Sequence, residues 1–356
     1  MSKKMMAYIE SQPDVWRSTL ETLSGQVRKA ALSMNGGQLP RRVVLLGSGS
    51  SYHAACAVRD LIQPRTDVEF FAQVPTRLLL PAAPQPGVVY WAVSQSGKST
   101  STQAAVEALC AQGAEVWTVT SDPASPLAQC GAGHIEIPCG EESVGPKTKG
   151  MTTTILTLWA LALAVADREA LYRECETLLP AFDAARENLA LSRTWSENCR
   201  ELLSGAACLT IVAEGPALPL AREGALKLLE TLYVPASAWE FEEYLHGVNN
   251  IIGPGQMHLF LLRSGPNRER MERLIAYCRA HGAVCLTIDC GADRPGVTDT
   301  RLALRCTGAP QTLAYEALLP FQVLSAVVSA AKGIECDKPR YPDFYAALNT
   351  KIDAGK

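Results

Sequence analysis

The sequence predicts an α/β protein built on mostly parallel sheets with helices on both faces. Three observations carry that expectation. Short, continuous apolar runs alternate with helical stretches, the pattern of strands buried on both sides. Turns rich in glycine and serine stand where those runs hand over to helices. The spacing also recurs: Ser96-Gly97 and Ser264-Gly265 lie 168 residues apart, Gly113 and Gly282 lie 169 apart. Two such similar offsets argue for one α/β unit duplicated in tandem. A chain of 356 residues suits two domains at about 150 residues each.

Taken in order, the first ~35 residues read as an amphipathic helix that stops at Asn35-Gly36-Gly37. A strand follows at Arg42-Val43-Val44-Leu45-Leu46. The turn Gly47-Ser48-Gly49-Ser50-Ser51 then leads to a helix from Tyr52. Val88-Val89-Tyr90-Trp91-Ala92-Val93 is the second strand, running into Ser94-Gln95-Ser96-Gly97-Lys98-Ser99-Thr100 and another helix. A third strand, residues 115–120, follows the stop at Gly113. In the second half, Leu209-Thr210-Ile211-Val212-Ala213 leads into Glu214-Gly215-Pro216. Leu259-Phe260-Leu261-Leu262 leads into Arg263-Ser264-Gly265, and Gly282 opens a strand that ends at Asp289. Residues 170–200 read as a helical connection between the halves.

Composition narrows the function. Lys and Arg number 33 against 36 acidic residues, for a net charge of −3, and no basic run exists to grip nucleic acid. The most apolar stretch, 155–166, is about a dozen residues, short of the ~20 that a spanning helix requires, so no membrane role is expected. The N-terminus lacks the apolar core and cleavage site of a signal peptide, which points to the cytoplasm. Twelve cysteines are scattered singly with no C-x-x-C pair, and only five histidines accompany them. They read as reduced, small buried hydrophobes, with no metal site and no cofactor expected.

The chemistry gathers at three places. The two serine-rich turns lie where strand ends and helix N-termini together favour an anion. Gly47 and Gly49 allow close backbone approach, while Ser50, Ser51, Ser94, Ser96, Ser99 and Thr100 offer neutral donors suited to phosphate. Good turns and N-caps use the same residue types, so this reading stands level with a structural one. The G-K-S at Gly97-Lys98-Ser99 is no Walker motif, because Val93 stands where its first glycine belongs. The third place is Glu223-Gly224-Ala225-Leu226-Lys227-Leu228-Leu229-Glu230, where about 100° per residue puts Glu223, Lys227 and Glu230 on one helical face. An ordinary i,i+4 ion pair would look the same. Beyond it, Glu240, Glu242 and Glu243 precede His246-Gly247, and a histidine so placed could move protons near neutral pH.

At these residues the chain resembles the sugar isomerase (SIS) family in its double-domain form, as in the isomerase half of glutamine–fructose-6-phosphate amidotransferase. That family's loops look like C-G-T-S-Y and S-Q-S-G-E-T; here stand Gly47-Ser48-Gly49-Ser50-Ser51-Tyr52 and Ser94-Gln95-Ser96-Gly97-Lys98-Ser99. Its E-G-A-L-K-L-K-E helix is matched from Glu223 to Glu230, with Leu229 replacing the second lysine. Its K-H-G-P is matched by Leu245-His246-Gly247-Val248. The resemblance spans about residues 40–340. It implies two tandem SIS domains, each a three-layer α/β/α unit. The implied divisions are an N-terminal helical segment at 1–36, SIS domain 1 with phosphosugar-binding loops at 37–168 and a helical linker at 169–203. SIS domain 2 with the catalytic helix follows at 204–335, then a C-terminal tail over the active site at 336–356.

The resemblance also implies roles. Ser51, Ser94, Gln95, Ser96 and Ser99 would hold a 6-phosphate, and Gly49, Ser50 and Lys147 would line the substrate. Glu230 would move a proton between C1 and C2 while Glu223 and Lys227 orient the substrate. His246 would serve the sugar's ring oxygen or hydroxyls, reaching in from a second subunit of a homodimer. Neither a glutaminase domain nor an amino-terminal cysteine nucleophile stands in this sequence, so glutamine-dependent amidotransfer is not expected. The amidotransferase's terminal P-R-N-L-A-K lysine is missing, with Phe344 at its place and Lys338 or Lys351 as substitutes only along a different tail path. Stand-alone fructosamine-6-phosphate deglycases resemble the chain better. The implied ligand is a phosphorylated sugar or a sugar–amine conjugate. Isomerisation or deamination of a hexosamine 6-phosphate and non-catalytic phosphosugar sensing are the alternatives.

Overall fold

The apolar runs become strands. The computed structural model describes residues 3–78, 83 and 85–352, so the last four residues of the expected tail lie outside the described residues. In chain order come α1 (Lys3–Ser33), β1 (Arg42–Leu46), α2 (Ser50–Ile62), β2 (Glu69–Gln73), β3 (Val88–Val93) and α3 (Thr100–Ala111). Then follow β4 (Glu115–Thr120), β5 (Gly133–Glu136), α4 (Lys149–Ala166), α5 (Ala170–Glu176) and α6 (Leu179–Ser204). The second half runs β6 (Leu209–Ala213), α7 (Leu218–Leu232), β7 (Ala236–Glu240), α8 (Phe241–Leu245), β8 (Met257–Leu262) and α9 (Arg268–Ala280). It closes with β9 (Val284–Asp289), β10 (Gly296–Val297), β11 (Arg301–Ala303), α10 (Leu313–Ala331) and α11 (Phe344–Ala347). The chain divides into two compact units. One comprises residues 14–142, 149–177 and 339–356, the other 1–13, 143–148 and 178–338.

The unit containing β1 to β5 holds a five-stranded sheet in the order β2-β1-β3-β4-β5, every pair parallel. Val43 sits between Phe70 and Val89 in register, and β3 is buried along its whole length. The β-branched residues fit that double-sided burial. The other unit's sheet runs β10-β11-β9-β8-β6-β7 and is parallel except at the short β10–β11 pair. Setting β10 aside, the two sheets have the same strand order, which is the duplication the spacing anticipates. In each, the order reverses beside the first strand, and in open α/β sheets a crevice for ligands opens at that point. In the first sheet the flanking strand ends are those of β1 and β3, which carry the two serine-rich turns.

The strands named from sequence are present. Three starts shift: β8 begins at Met257, β9 at Val284 and α2 at Ser50. β2 and β7, which sequence reading leaves unassigned, are sheet edges with mixed burial and therefore lack a continuous apolar signature.

The apolar helix α4 corrects one expectation. It spans 18 residues rather than a dozen, because its threonines are buried, with the hydroxyls of Thr152, Thr154 and Thr157 bonded to carbonyls one turn back. Thr154 Oγ1 donates to Gly150 O at 2.6 Å and Thr157 Oγ1 to Thr153 O at 2.9 Å. This helix and the stretch Pro310–Ala331 are long and apolar enough to cross a membrane, yet each is 94% buried within the fold. In their own unit α6 and α10 pack lengthwise, with Phe182 edge-on to Tyr315 at 5.1 Å between ring centroids. Each such fully buried aromatic contributes about 1.5–3 kcal/mol.

Candidate active site

The unit built on the first sheet presents the two serine-rich turns. Gly49 has φ +56° just before α2, a conformation that favours glycine. At Gly47 a Cβ would come within 3.0–3.1 Å of the Ser51 and Tyr52 main chain, so the turn closes tightly against the first turn of α2. The second turn is tighter still. Gly97 has φ +64°, and a Cβ there would meet Ser125 Oγ at 2.0 Å. Ser94 is buried, its N–H donating to Val119 O at 3.0 Å, and Gly97 N closes back on Ser94 O at 2.9 Å.

Hydroxyls and amides in this loop are committed unequally. The Gln95 side-chain amide donates to Ser121 Oγ at 3.2 Å and to Cys139 Sγ at 3.5 Å, while Ser121 Oγ donates back to Gln95 O at 2.7 Å. Both Gln95 amide protons are thus engaged within the fold. Ser99 precedes α3 in extended conformation and accepts from Thr102 Oγ1 at 3.0 Å. The hydroxyls of Ser51 and Ser96 have no hydrogen-bond partner among the described residues. Sequence reasoning missed what holds this loop. Glu142 Oε2 accepts from Gly150 N at 2.9 Å, and a Cβ on Gly150 would strike that oxygen at 2.7 Å and Gln95 Cγ at 3.1 Å. A glycine opening an otherwise apolar helix was the available signal.

The same unit lays its C-terminal strap on this loop. After α11, Ile352 N donates to Lys98 O at 2.9 Å, Thr100 Oγ1 to Asn349 O at 2.8 Å and Thr100 N to Thr350 O at 3.4 Å. Ser99 and Lys351 face each other in an antiparallel bridge.

In the other unit, α7 brings three of the expected residues together. Lys227 Nζ lies 2.7 Å from Glu230 Oε2 and 3.3 Å from Glu223 Oε1. Glu223 and Lys227 are buried, whereas the Glu230 side chain keeps 34% of its exposure. Burial alone would favour the neutral amine of Lys227, but the two carboxylates outweigh it and hold its pKa above the ordinary lysine value. A buried cation flanked by two carboxylates, one of them solvent-reachable, can present Glu230 as a base of fixed orientation. Gly224 explains the small residue within this helix: a Cβ there would meet the Phe321 ring of α10 at 2.5 Å.

Of the other expected residues, His246 stands apart from this group. His246 caps α8 at its C-terminal end and is exposed, with none of the described contacts linking it to Glu223, Lys227 or Glu230. Lys147 is half-buried in the 143–148 segment of the unit that carries α7, whereas Ser51 and residues 94–99 belong to the other unit. That segment is held by Gln322 Nε2, which donates to Thr148 O at 3.3 Å, and by Gln12, which donates to Gln322 Oε1 at 2.7 Å.

The corresponding crevice of the second sheet, at the ends of β6 and β8, is filled by side chains. Glu214 accepts from Asn267 Nδ2 at 2.8 Å and lies 3.6 Å from Arg263 Nε, while buried Asp289 takes a two-pronged grip from Arg268 at 2.8 and 2.9 Å. Carboxylates stand there in place of serine hydroxyls.

Comparison with known proteins agrees with this architecture. Residues 40–164 match the SIS domain model. Glutamine–fructose-6-phosphate aminotransferase (isomerizing) of Zymomonas mobilis is 28% identical over 94% of this chain, which spans 57% of that relative's length. The C-terminal domain of glucosamine-fructose-6-phosphate aminotransferase from Francisella tularensis superposes with a TM-score of 0.84 at 20% identity, covering 95% of this chain and 98% of that one. Tagatose-6-phosphate ketose/aldose isomerase from Escherichia coli does so with 0.78 at 20% identity, covering 95% of each. A domain model matching one segment, relatives aligned along nearly the whole chain and a shared fold converge: residues 40–164 resemble a SIS domain, and the chain has the fold of these phosphosugar isomerases.

Proposed function

We propose that the protein is an enzyme acting on amino-sugar 6-phosphates, and that its reaction is deglycation of a fructosamine-type 6-phosphate. The observation that carries this reading is the Glu223–Lys227–Glu230 group, in which a buried ammonium fixes a half-exposed carboxylate. Relatives and structural neighbours whose names place them on hexose 6-phosphates support the substrate class.

In this reading the 6-phosphate is held by Ser51, Ser94, Ser96 and Ser99 with the main-chain N–H of Gln95, and Gly49, Ser50 and Lys147 line the sugar. Glu230 removes a proton from C1 of the ketose, and the C1–H electrons form a C1–C2 double bond as the C2 oxygen takes a proton. The resulting enaminol collapses when Glu230 returns a proton to C2, leaving a C1–N imine. Water adds to C1 and expels the free amine, giving a hexose 6-phosphate. One carboxylate serves both carbons because its two oxygens reach adjacent atoms. No oxidant or reductant is required.

The test is a panel of fructosamine 6-phosphates assayed for released amine and hexose 6-phosphate, with Glu230→Gln alongside. Wild type should release amine and carry solvent deuterium into C2, and Glu230→Gln should lower kcat by about 10²–10⁴ with KM nearly unchanged. Turnover of hexosamine 6-phosphates alone would favour isomerisation or deamination. Binding without any turnover would leave a phosphosugar sensor.

A further inference from the structure

The C-terminal strap does more than cover the serine loop: it brings a second ammonium group to it. Lys98 lies within the loop, between Gly97 and the extended Ser99 that precedes α3. Lys351 arrives from the other end of the chain as the bridge partner of Ser99, and its neighbour Ile352 bonds the carbonyl of Lys98 itself. The strap is seated by main-chain carbonyls and amides together with the Thr100 hydroxyl. None of these hydrogen bonds uses the Lys351 side chain. Its ammonium lies over the ring of Tyr345, 3.7 Å from the centroid. Neither Lys98 nor Lys351 has a carboxylate partner among the described residues.

Two like charges with no carboxylate partner among the described residues oppose each other. Desolvation, and then the nearby charge of Lys98, hold the pKa of Lys351 below the ordinary lysine value. An anion placed between such groups relieves that repulsion, and the adjoining loop already offers the hydroxyl of Ser96.

We propose that Lys98 and Lys351 form a cationic clamp for the substrate phosphate, adding two charged donors to the neutral serine loop, with Lys351 delivered by the strap. The proposal rests on the phosphate reading of that loop. It also assigns a role to a departure from the family pattern, the lysine at position 98. Serine hydroxyls fix the position of the anion, and the clamp supplies charge. Binding should therefore be salt-dependent in a way that a purely neutral loop is not.

The experiment titrates inorganic phosphate into the full chain by calorimetry at low and high salt, comparing wild type with Lys98→Gln, Lys351→Gln, Lys351→Arg and Ser96→Ala. Hydrogen exchange at the Ile352 amide reports whether the strap stays seated. Lys351→Gln should weaken phosphate about tenfold, the scale of one lost charge-assisted contact, and flatten the salt dependence. Lys351→Arg should restore most of the affinity, and Ile352 should remain protected in both variants. If Lys351→Gln keeps wild-type affinity while Ser96→Ala loses it, the clamp is wrong and the phosphate loop stands. If neither substitution changes phosphate binding, the loop reading itself fails and the clamp with it. Affinity lost together with Ile352 protection, and not restored by arginine, would reduce Lys351 to a structural part of the strap.

Discussion

Lys227 holds two carboxylates that live in different surroundings, and this separates stability from chemistry. Glu223 is fully buried with its charge balanced by the ammonium, whereas Glu230 remains partly solvated. Lys227→Met would leave Glu223 buried without its cation, which costs about 3–5 kcal/mol when one partner of a buried pair is removed. Glu230→Gln should change stability by less than about 1 kcal/mol, because its site is open to water and an amide can still accept from Lys227. Urea unfolding of the two variants checks this: equal losses would mean that Glu230 carries as much of the fold as Glu223. The helical face that unites the three residues was legible from spacing alone. Their unequal burial was not, because it depends on α10, whose sequence says nothing of what it will cover.

At the scale of elements, α7 is set in place by an absence. Gly224 brings the helix close enough for the Phe321 ring to lie where a Cβ would stand. Gly224→Ala should cost about 1–3 kcal/mol by overpacking, despite alanine's better helix propensity, and lower kcat by shifting the carboxylates. Combining it with Phe321→Leu should recover part of both losses. A Gly224→Ala protein more stable than wild type would show that α7 tolerates displacement.

Strands with unbroken apolar runs, such as β3 and β6, were readable because burial on both faces leaves no ambiguity. The edge strands β2 and β7 were not, since half of each faces solvent and the pattern dissolves into that of a loop. The threonine turn of α4 was hidden for a different reason: buried hydroxyls that bond their own backbone look polar in sequence and behave as apolar in the fold. A tail at 336–356 was expected from the family resemblance, but its seating on residues 98–100 was not legible, because it is almost wholly main-chain hydrogen bonding and requires no particular side-chain order.

Over the whole molecule, the position of His246 sets a question of assembly. It is exposed at the end of α8, unconnected to the α7 group within its own chain, and we propose that it completes the site of a second copy in a homodimer. Mixing Glu230→Gln chains with His246→Ala chains should then regain about a quarter of wild-type activity, since half of random dimers are mixed and each has one intact site. No recovery in verified heterodimers would place both residues in a single chain's site.

The two sheets share a strand order, but their crevices have taken opposite courses. One keeps the hydroxyls of Ser51 and Ser96 without partners among the described residues, while the other is closed by Glu214, Arg263, Asn267, Asp289 and Arg268 bonding among themselves. Buried Asp289 already has its cation, so an incoming phosphate would have to displace a carboxylate and leave it stranded. Sequence drift on that side is thus one-way in practice. Restoring a second binding crevice would require several ion pairs to be dismantled at once, with every intermediate carrying an orphaned charge. The duplicated half, once plugged, is barred from anion binding at that crevice by its own electrostatics.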